Sequence, residues 1–237
     1  MTTFIKNFEN KNIKVIYIPE LEIIRKITYN KRFYNYLINE TNGIKHYKKK
    51  LKDSSINIIN FNLNKNFSFV DQKIFVGNKN IFYKSLGFNF DIINRSINHY
   101  LNFWPKNSLT QVHGDLTIDN IIYTSEKIRF IDWELYGTSK EVWGYDLVYL
   151  VISSIFFHYY EKKKISNKDL KMFKTLWSKL RSNGINSKLL DNPISYFKKT
   201  LKKKNWIKVK KDHPGKIFID DCDNYFIDII KKLIHES

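Results

Sequence analysis

The residues whose types and spacing can carry chemistry lie in one stretch of this 237-residue chain. It reads Gln111-Val112-His113-Gly114-Asp115-Leu116-Thr117-Ile118-Asp119-Asn120-Ile121-Ile122-Tyr123, followed by Phe130-Ile131-Asp132-Trp133-Glu134. Asp115 sits in a glycine-containing loop, Asn120 follows it by five positions, and Asp132 follows Asn120 by twelve. The residues between Asn120 and Asp132 read as strand, turn and strand: Ile121–Tyr123, Thr124-Ser125-Glu126-Lys127, Ile128–Ile131. A hairpin of that length brings its end back beside its start, so Asp115, Asn120 and Asp132 can converge on one point. The amide oxygen of Asn120 and the carboxylate of Asp132 are hard ligands suited to Mg²⁺ and its attached phosphates. Asp115 is then free to orient a hydroxyl and accept its proton. Phosphoryl transfer requires that division of labour. Each residue taken alone is unremarked: a Gly-Asp pair is usually a turn, and asparagine is abundant here. The combination carries the reading.

The elements that must hold these residues fall into two parts. Ile13–Ile18 and Leu21–Thr28 are β-rich runs separated by Pro19-Glu20, and Asn7–Asn12 can turn an earlier strand into the first of them. Phe33–Leu51 has helical spacing at Phe33, Tyr36, Leu37, Ile44, Tyr47 and Leu51, although Gly43 inside it is unfavourable. Ile56–Leu63 and Phe67–Val76 read as further strands, and Gly77–Asn80 as a break. The remainder is mainly helical: Phe88–Trp104 up to Pro105, Asp146–Tyr160, a helix capped by Ser166 and ending before Gly184, Pro193–Lys203, and Tyr225–His235. The fold class is therefore α+β. A small, shortened β-rich lobe spans residues 1–80 and a larger helical lobe spans 81–237, joined near residues 77–87.

The stretch from Gln111 to Val151 resembles the aminoglycoside phosphotransferase and choline kinase family, relatives of the protein kinases. The family pattern is H-G-D-x-x-x-x-N, then a hydrophobic residue and D-[FW]-E. Here it is His113-Gly114-Asp115, Asn120 and Ile131-Asp132-Trp133-Glu134. Gly144-Tyr145-Asp146-Leu147 matches the family's G-x-D-L at the head of the next helix. The resemblance implies a two-lobed protein-kinase-like fold that uses ATP and Mg²⁺. It makes Asp115 the catalytic base and Asn120 and Asp132 the metal ligands. It gives His113 and Asp146 a structural role in bracing the catalytic loop, although helix capping alone would also explain Asp146.

The same resemblance calls for a strand lysine on the nucleotide phosphates and a helix glutamate that holds it. Leu21–Ile27 resembles that strand and Leu37–Gly43 that helix, which assigns Lys26 and Glu40. Arg25 is the alternative to Lys26, since one residue of register decides which side chain faces the cleft. The family's loop over the phosphates normally carries glycine or serine. Before Lys26 this chain has no glycine, and Asn10 and Asn12 are the nearest small polar residues. That departure motivates a second reading, a catalytically impaired, pseudokinase-like binding protein on the same fold.

The acceptor expected from the resemblance is a hydroxyl of a small molecule: choline, ethanolamine, an amino sugar or an aminoglycoside. Trp133, Tyr136, Trp143 and Tyr145 can build an aromatic box for a quaternary ammonium, or simply pack in the core. Asp220, Asp221, Asp223 and Asp228 form the densest acidic cluster, which suits amino groups of an acceptor or the start of a helix. Glu134 faces either the cleft or a structural partner.

Charge supplies a third reading. Lys and Arg number 41 against 23 Asp and Glu, a formal net charge of +18. That balance raises nucleic acid as a partner. Only five of the basic residues are arginine, however, and the chain has no alanine. Lys, Asn, Ile, Phe and Tyr have A- and T-rich codons, so biased base composition accounts for most of the lysine. Readers of phosphate and bases rely on the forked guanidinium of arginine, which is scarce here. No nucleic-acid partner is expected. A single cysteine, Cys222, excludes an intrachain disulfide or a cysteine zinc cluster. The most apolar run, Leu147–Tyr160, is too short to span a bilayer, and the first residues lack an apolar signal core. A cytoplasmic location is expected.

Overall fold

The structure is a computed structural model, and it describes residues 5–7, 13–64, 67–75, 78–79, 89–162, 164–203 and 224–235. Asn10, Asn12, Asp220, Asp221, Cys222, Asp223 and most of the expected 77–87 connection lie outside the described residues. The fold is α+β. The chain divides into two compact units, one of Met1–Gly77, Gln111–Gly114 and Arg129–Lys140, the other of Asn78–Thr110, Asp115–Ile128 and Glu141–Ser237.

The first unit is built on a five-stranded antiparallel sheet. Its strands are β1 (Ile5–Asn7), β2 (Ile13–Ile18), β3 (Ile23–Thr28), β4 (Ile58–Leu63) and β5 (Ser68–Lys73), in the spatial order β1-β2-β3-β5-β4. Pro19–Leu21 forms a single 3₁₀ turn, so β3 starts two residues later than Leu21, after Glu22 at φ 52°. Helix α1 (Tyr34–Leu51) packs on β4 and β5. It buries Leu37, Glu40, Thr41, Gly43, Ile44 and Tyr47, close to the face its periodicity predicts. Gly43 stands in the helix for a spatial reason. A Cβ there would lie 2.5 Å from Trp133 Cβ.

The second unit contains β6 (Asn78–Lys79), α2 (Phe90–Phe103) and β8 (Ile121–Tyr123), with β6 paired to β8. Short strands β7 (Leu109–Gln111), β9 (Ile128–Phe130) and β10 (Lys140–Val142) run across the divisions of the chain between the units. Helices α3 (Tyr145–Lys162), α4 (Asn167–Ser182), α5 (Ser187–Asp191), α6 (Pro193–Lys203) and α7 (Asn224–His235) complete it. Tyr145 to Phe157 of α3 is buried with scarcely a polar position, and α2, α4, α5 and α6 pack around it. A helix apolar on all sides belongs in a core. Ser153 and Ser154 turn their hydroxyls onto the Leu150 carbonyl, which satisfies them there. The α4 cap follows the sequence; that of α2, at Asn89, was not read from it. Asn89 accepts from the Ile92 N–H at the start of α2, and Ser166 and Asp169 form a reciprocal capping box on α4. Short helix α5 and strands β7 and β10 go beyond the sequence reading, and β6 stands where a break was expected, its two residues paired with β8. Among the described residues no helix is long and apolar enough to cross a membrane.

Candidate functional site

The first unit brings Lys26, Glu40 and Asp132 together. Strand alternation turns Lys26 and Arg25 to opposite faces of β3. Arg25 forks onto Asp71, its neighbour across β5, through two hydrogen bonds of 2.7 Å, and lies over the Phe69 ring. Lys26 points the other way, with Nζ 2.9 Å from Glu40 Oε2 and 2.6 Å from Asp132 Oδ1. Lys26 is 7% exposed and Glu40 is fully buried, while the Asp132 side chain is one-third exposed at 33%.

Electrostatics follow from that burial. Desolvation works against the Lys26 charge, but Asp132, Glu40 and Glu134 overcome it and hold the ammonium above the ordinary lysine range. Burial pushes the Glu40 carboxyl up to about 7; Lys26 pulls the other way, and the charges of Asp132 and Glu134 add to the rise. Glu134 is buried; its charge acts on both groups, and its backbone carbonyl accepts from Asn39 Nδ2 at 3.1 Å.

The loop that delivers Asp132 is held from several sides within the same unit. Asp132 has φ 64°, a left-handed conformation that Asp tolerates better than most residues. Fully buried His113 uses Nε2 against the Ile131 carbonyl at 3.0 Å, so that nitrogen carries the proton. Its ring packs 4.5 Å from Trp133. Gly114 has φ 91°, and a Cβ there would meet Leu135 Cβ at 2.9 Å. Glycine is thus required between His113 and Asp115 on both conformational and steric grounds.

In the second unit, Asp115 and Asn120 share one buried turn. Asn120 Nδ2 donates to the Asp115 carbonyl at 2.8 Å, and the Asn120 N–H donates to Thr117 O at 3.0 Å. The amide oxygen of Asn120 is therefore the atom left to act as a ligand. Burial first, with the nearby Asp115 charge among further causes, pushes the Tyr145 and Tyr149 hydroxyls well above the ordinary tyrosine range. Asp146 is fully buried and accepts from Tyr100 Oη at 3.1 Å. It lies inside the first turn of α3, where Gly144 accepts from the Val148 N–H and takes the cap position.

The aromatic residues proposed for an acceptor are packing residues in this structure. Trp133 is 1% exposed, donates from Nε1 to Phe130 O at 3.0 Å, and has its ring against Tyr47, His113 and Tyr136. Tyr136 donates to Gln111 Oε1 at 2.8 Å. Tyr145 stacks on Tyr149 and meets Phe197 edge-on. Trp143 is buried, with Lys106 Nζ 5.2 Å from its ring centre. Trp133 thus packs in the core of the first unit. Asp228 is exposed and lies 3.8 Å from Lys231. Sequence reasoning missed Asp71, Asn39, Tyr47 and Tyr100, which hold Arg25, the Glu134 backbone, the Phe130 N–H and Asp146. Each pairing joins positions far apart in sequence, so no local signal marks it.

No protein-family model matches the chain, and no curated protein matches it. Among solved structures it is similar to "Putative fructosamine-3-kinase" from Haemophilus somnus 129PT, with a TM-score of 0.43 and 12% identity over 99% of this chain and 92% of that one.

Proposed function

We propose that the protein is a phosphotransferase of the aminoglycoside phosphotransferase and choline kinase class, moving the γ-phosphate of ATP to a hydroxyl of a small molecule. The observation that carries the reading is the buried Lys26–Glu40–Asp132 cluster, made by the three residues that the motif and its strand and helix single out. A buried lysine kept charged by two carboxylates is an anion site held in readiness. Glu40 orients it, and it neutralises the α- and β-phosphates.

Asp132 offers a partly exposed carboxylate and Asn120 an amide oxygen, and each is the kind of hard ligand that would hold Mg²⁺. A metal held by Asp132 and Asn120 would supply charge neutralisation for the nucleotide phosphates. Asp115 orients the acceptor hydroxyl and takes its proton. His113 and Gly114 fix the loop before it, and Asp146 braces the start of α3. Catalysis comes from positioning and charge neutralisation rather than from a covalent intermediate. The acceptor falls among choline, ethanolamine, amino sugars and aminoglycosides, with Glu134 and the acidic residues Asp220 and Asp221 as further candidates for its amino groups.

A nucleotide-consumption screen of the purified protein with Mg²⁺ against those acceptors tests the reading. Acceptor-dependent turnover of ATP is expected. Melting-temperature measurements with Mg²⁺-ATP separate the alternatives, since a ligand that binds only the folded state raises stability. A shift without turnover for any acceptor identifies a binding protein on this fold. No shift at millimolar nucleotide overturns the reading.

A further inference from the structure

Helix α1 is attached along its length to the segment that carries Asp132. Asn39 Nδ2 donates to the Glu134 carbonyl, Gly43 lies under Trp133, and Tyr47 Oη accepts from the Phe130 N–H at 3.1 Å. Just past the helix, Asp53 pairs with Arg129. Of these places, Gly43 is the one where an added side-chain atom would collide. A Cβ built there would lie 2.5 Å from Trp133 Cβ, 2.8 Å from Cε3 and 2.9 Å from Cγ. Cβ and Cγ are near-backbone atoms, so rotation of the indole does not open the space. Glycine costs a helix interior roughly 1 kcal/mol against alanine. The contact with Trp133 accounts for its use here.

Two chain relations make this contact more than packing. Gly43 lies three residues after Glu40, hence on the same face of α1. Trp133 directly follows Asp132. This contact therefore stands about one helical turn from Glu40 and one residue from Asp132, the two carboxylates that share Lys26. We propose that Gly43 and Trp133 form a notch and key that sets the separation of Glu40 from Asp132 and so holds the Lys26 ammonium between them. They are positioning residues; neither touches the reacting groups. The consequence for nucleotide affinity rests on the function proposed above, whereas the placement of Lys26 does not.

The test measures the acylation rate of each lysine with an N-hydroxysuccinimide ester, read by mass spectrometry. It uses the full chain as wild type, Gly43→Ala and Trp133→Leu. In wild type Lys26 reacts slowly, being buried and charged. With Gly43→Ala, α1 is displaced, and Lys26 is expected to react several-fold faster while the other lysines keep their rates. Trp133→Leu, which removes the ring but keeps Cβ, is expected to give a smaller selective rise and decides the matter if Gly43→Ala does not fold. The affinity for Mg²⁺-ATP, read from the nucleotide dependence of the melting temperature, is expected to weaken on the order of tenfold. Unchanged Lys26 reactivity in the folded variants, or an equal rise at all lysines, overturns the proposal. If wild type ignores nucleotide but the Lys26 rates change selectively, the proposed function fails and the positioning role stands.

Discussion

Asp115 and Glu40 are the residues at which the proposed chemistry is most exposed to test. Asp115→Asn keeps the size of the side chain and removes its capacity to accept a proton. Turnover is expected to fall about 10²-fold or more, the usual contribution of a positioned base. The Mg²⁺-ATP melting shift should persist, because the nucleotide contacts are assigned elsewhere; normal turnover would remove Asp115 from the role of base. Glu40 makes a prediction about pH. Its folded value of about 7 lies above the ordinary 4.5, so between these values the folded state binds more protons than the unfolded one. Stability must then fall as pH rises through that window. Glu40→Gln deletes this dependence, so the melting-temperature gap is expected to move in the variant's favour from about pH 5 to about pH 8. A gap that stays flat contradicts the raised value. Sequence alone left Lys26 and Arg25 open, for a simple reason. Alternation says only that they face opposite sides, and the residue that draws Arg25 away is Asp71 on another strand.

The docking of α1 controls the geometry at the scale of elements. Its periodicity was legible, as was the capping signal of α4, because those depend on neighbours within a few residues. Gly43 was legible only as a defect, since the ring that occupies its missing Cβ lies ninety positions further along the chain. Tyr47 shows the same limit. It reads as one more apolar position on the helix, yet its hydroxyl satisfies the buried Phe130 N–H. Tyr47→Phe leaves that donor without its partner, and the expected cost is about 1–3 kcal/mol, measured by denaturant unfolding. A loss near zero would mean that another acceptor takes the N–H. Ser166→Ala tests an element away from the candidate site. Removing the capping box of α4 is expected to cost about 1 kcal/mol and to leave nucleotide binding unchanged.

The organisation of the whole molecule was the part least legible in sequence. A boundary placed near residue 80 from the change of strand-rich to helix-rich runs cannot show that residues 111–114 and 129–140 group with the first unit. Spatial grouping depends on which distant side chains fill one core, and no linear window contains that information. The net charge of +18 poses the opposite problem, a conspicuous number with little structural meaning. Two of the five arginines, Arg25 and Arg129, are committed to Asp71 and Asp53 inside the first unit, and Arg95 donates to the Thr124 and Ser125 carbonyls. Three of the five residues best suited to fork onto phosphates are thus engaged in structure. What remains is mostly lysine, a point charge that attracts any polyanion without selecting one. Retention on heparin and binding to duplex DNA should therefore be strong at low salt, steeply salt-dependent, and indifferent to sequence, as counterion release dictates. Fluorescence anisotropy with two unrelated duplexes at physiological salt is expected to show equal and weak binding. A tight complex with one of them, surviving that salt, would make nucleic acid a genuine partner and reassign the basic surface from background to function.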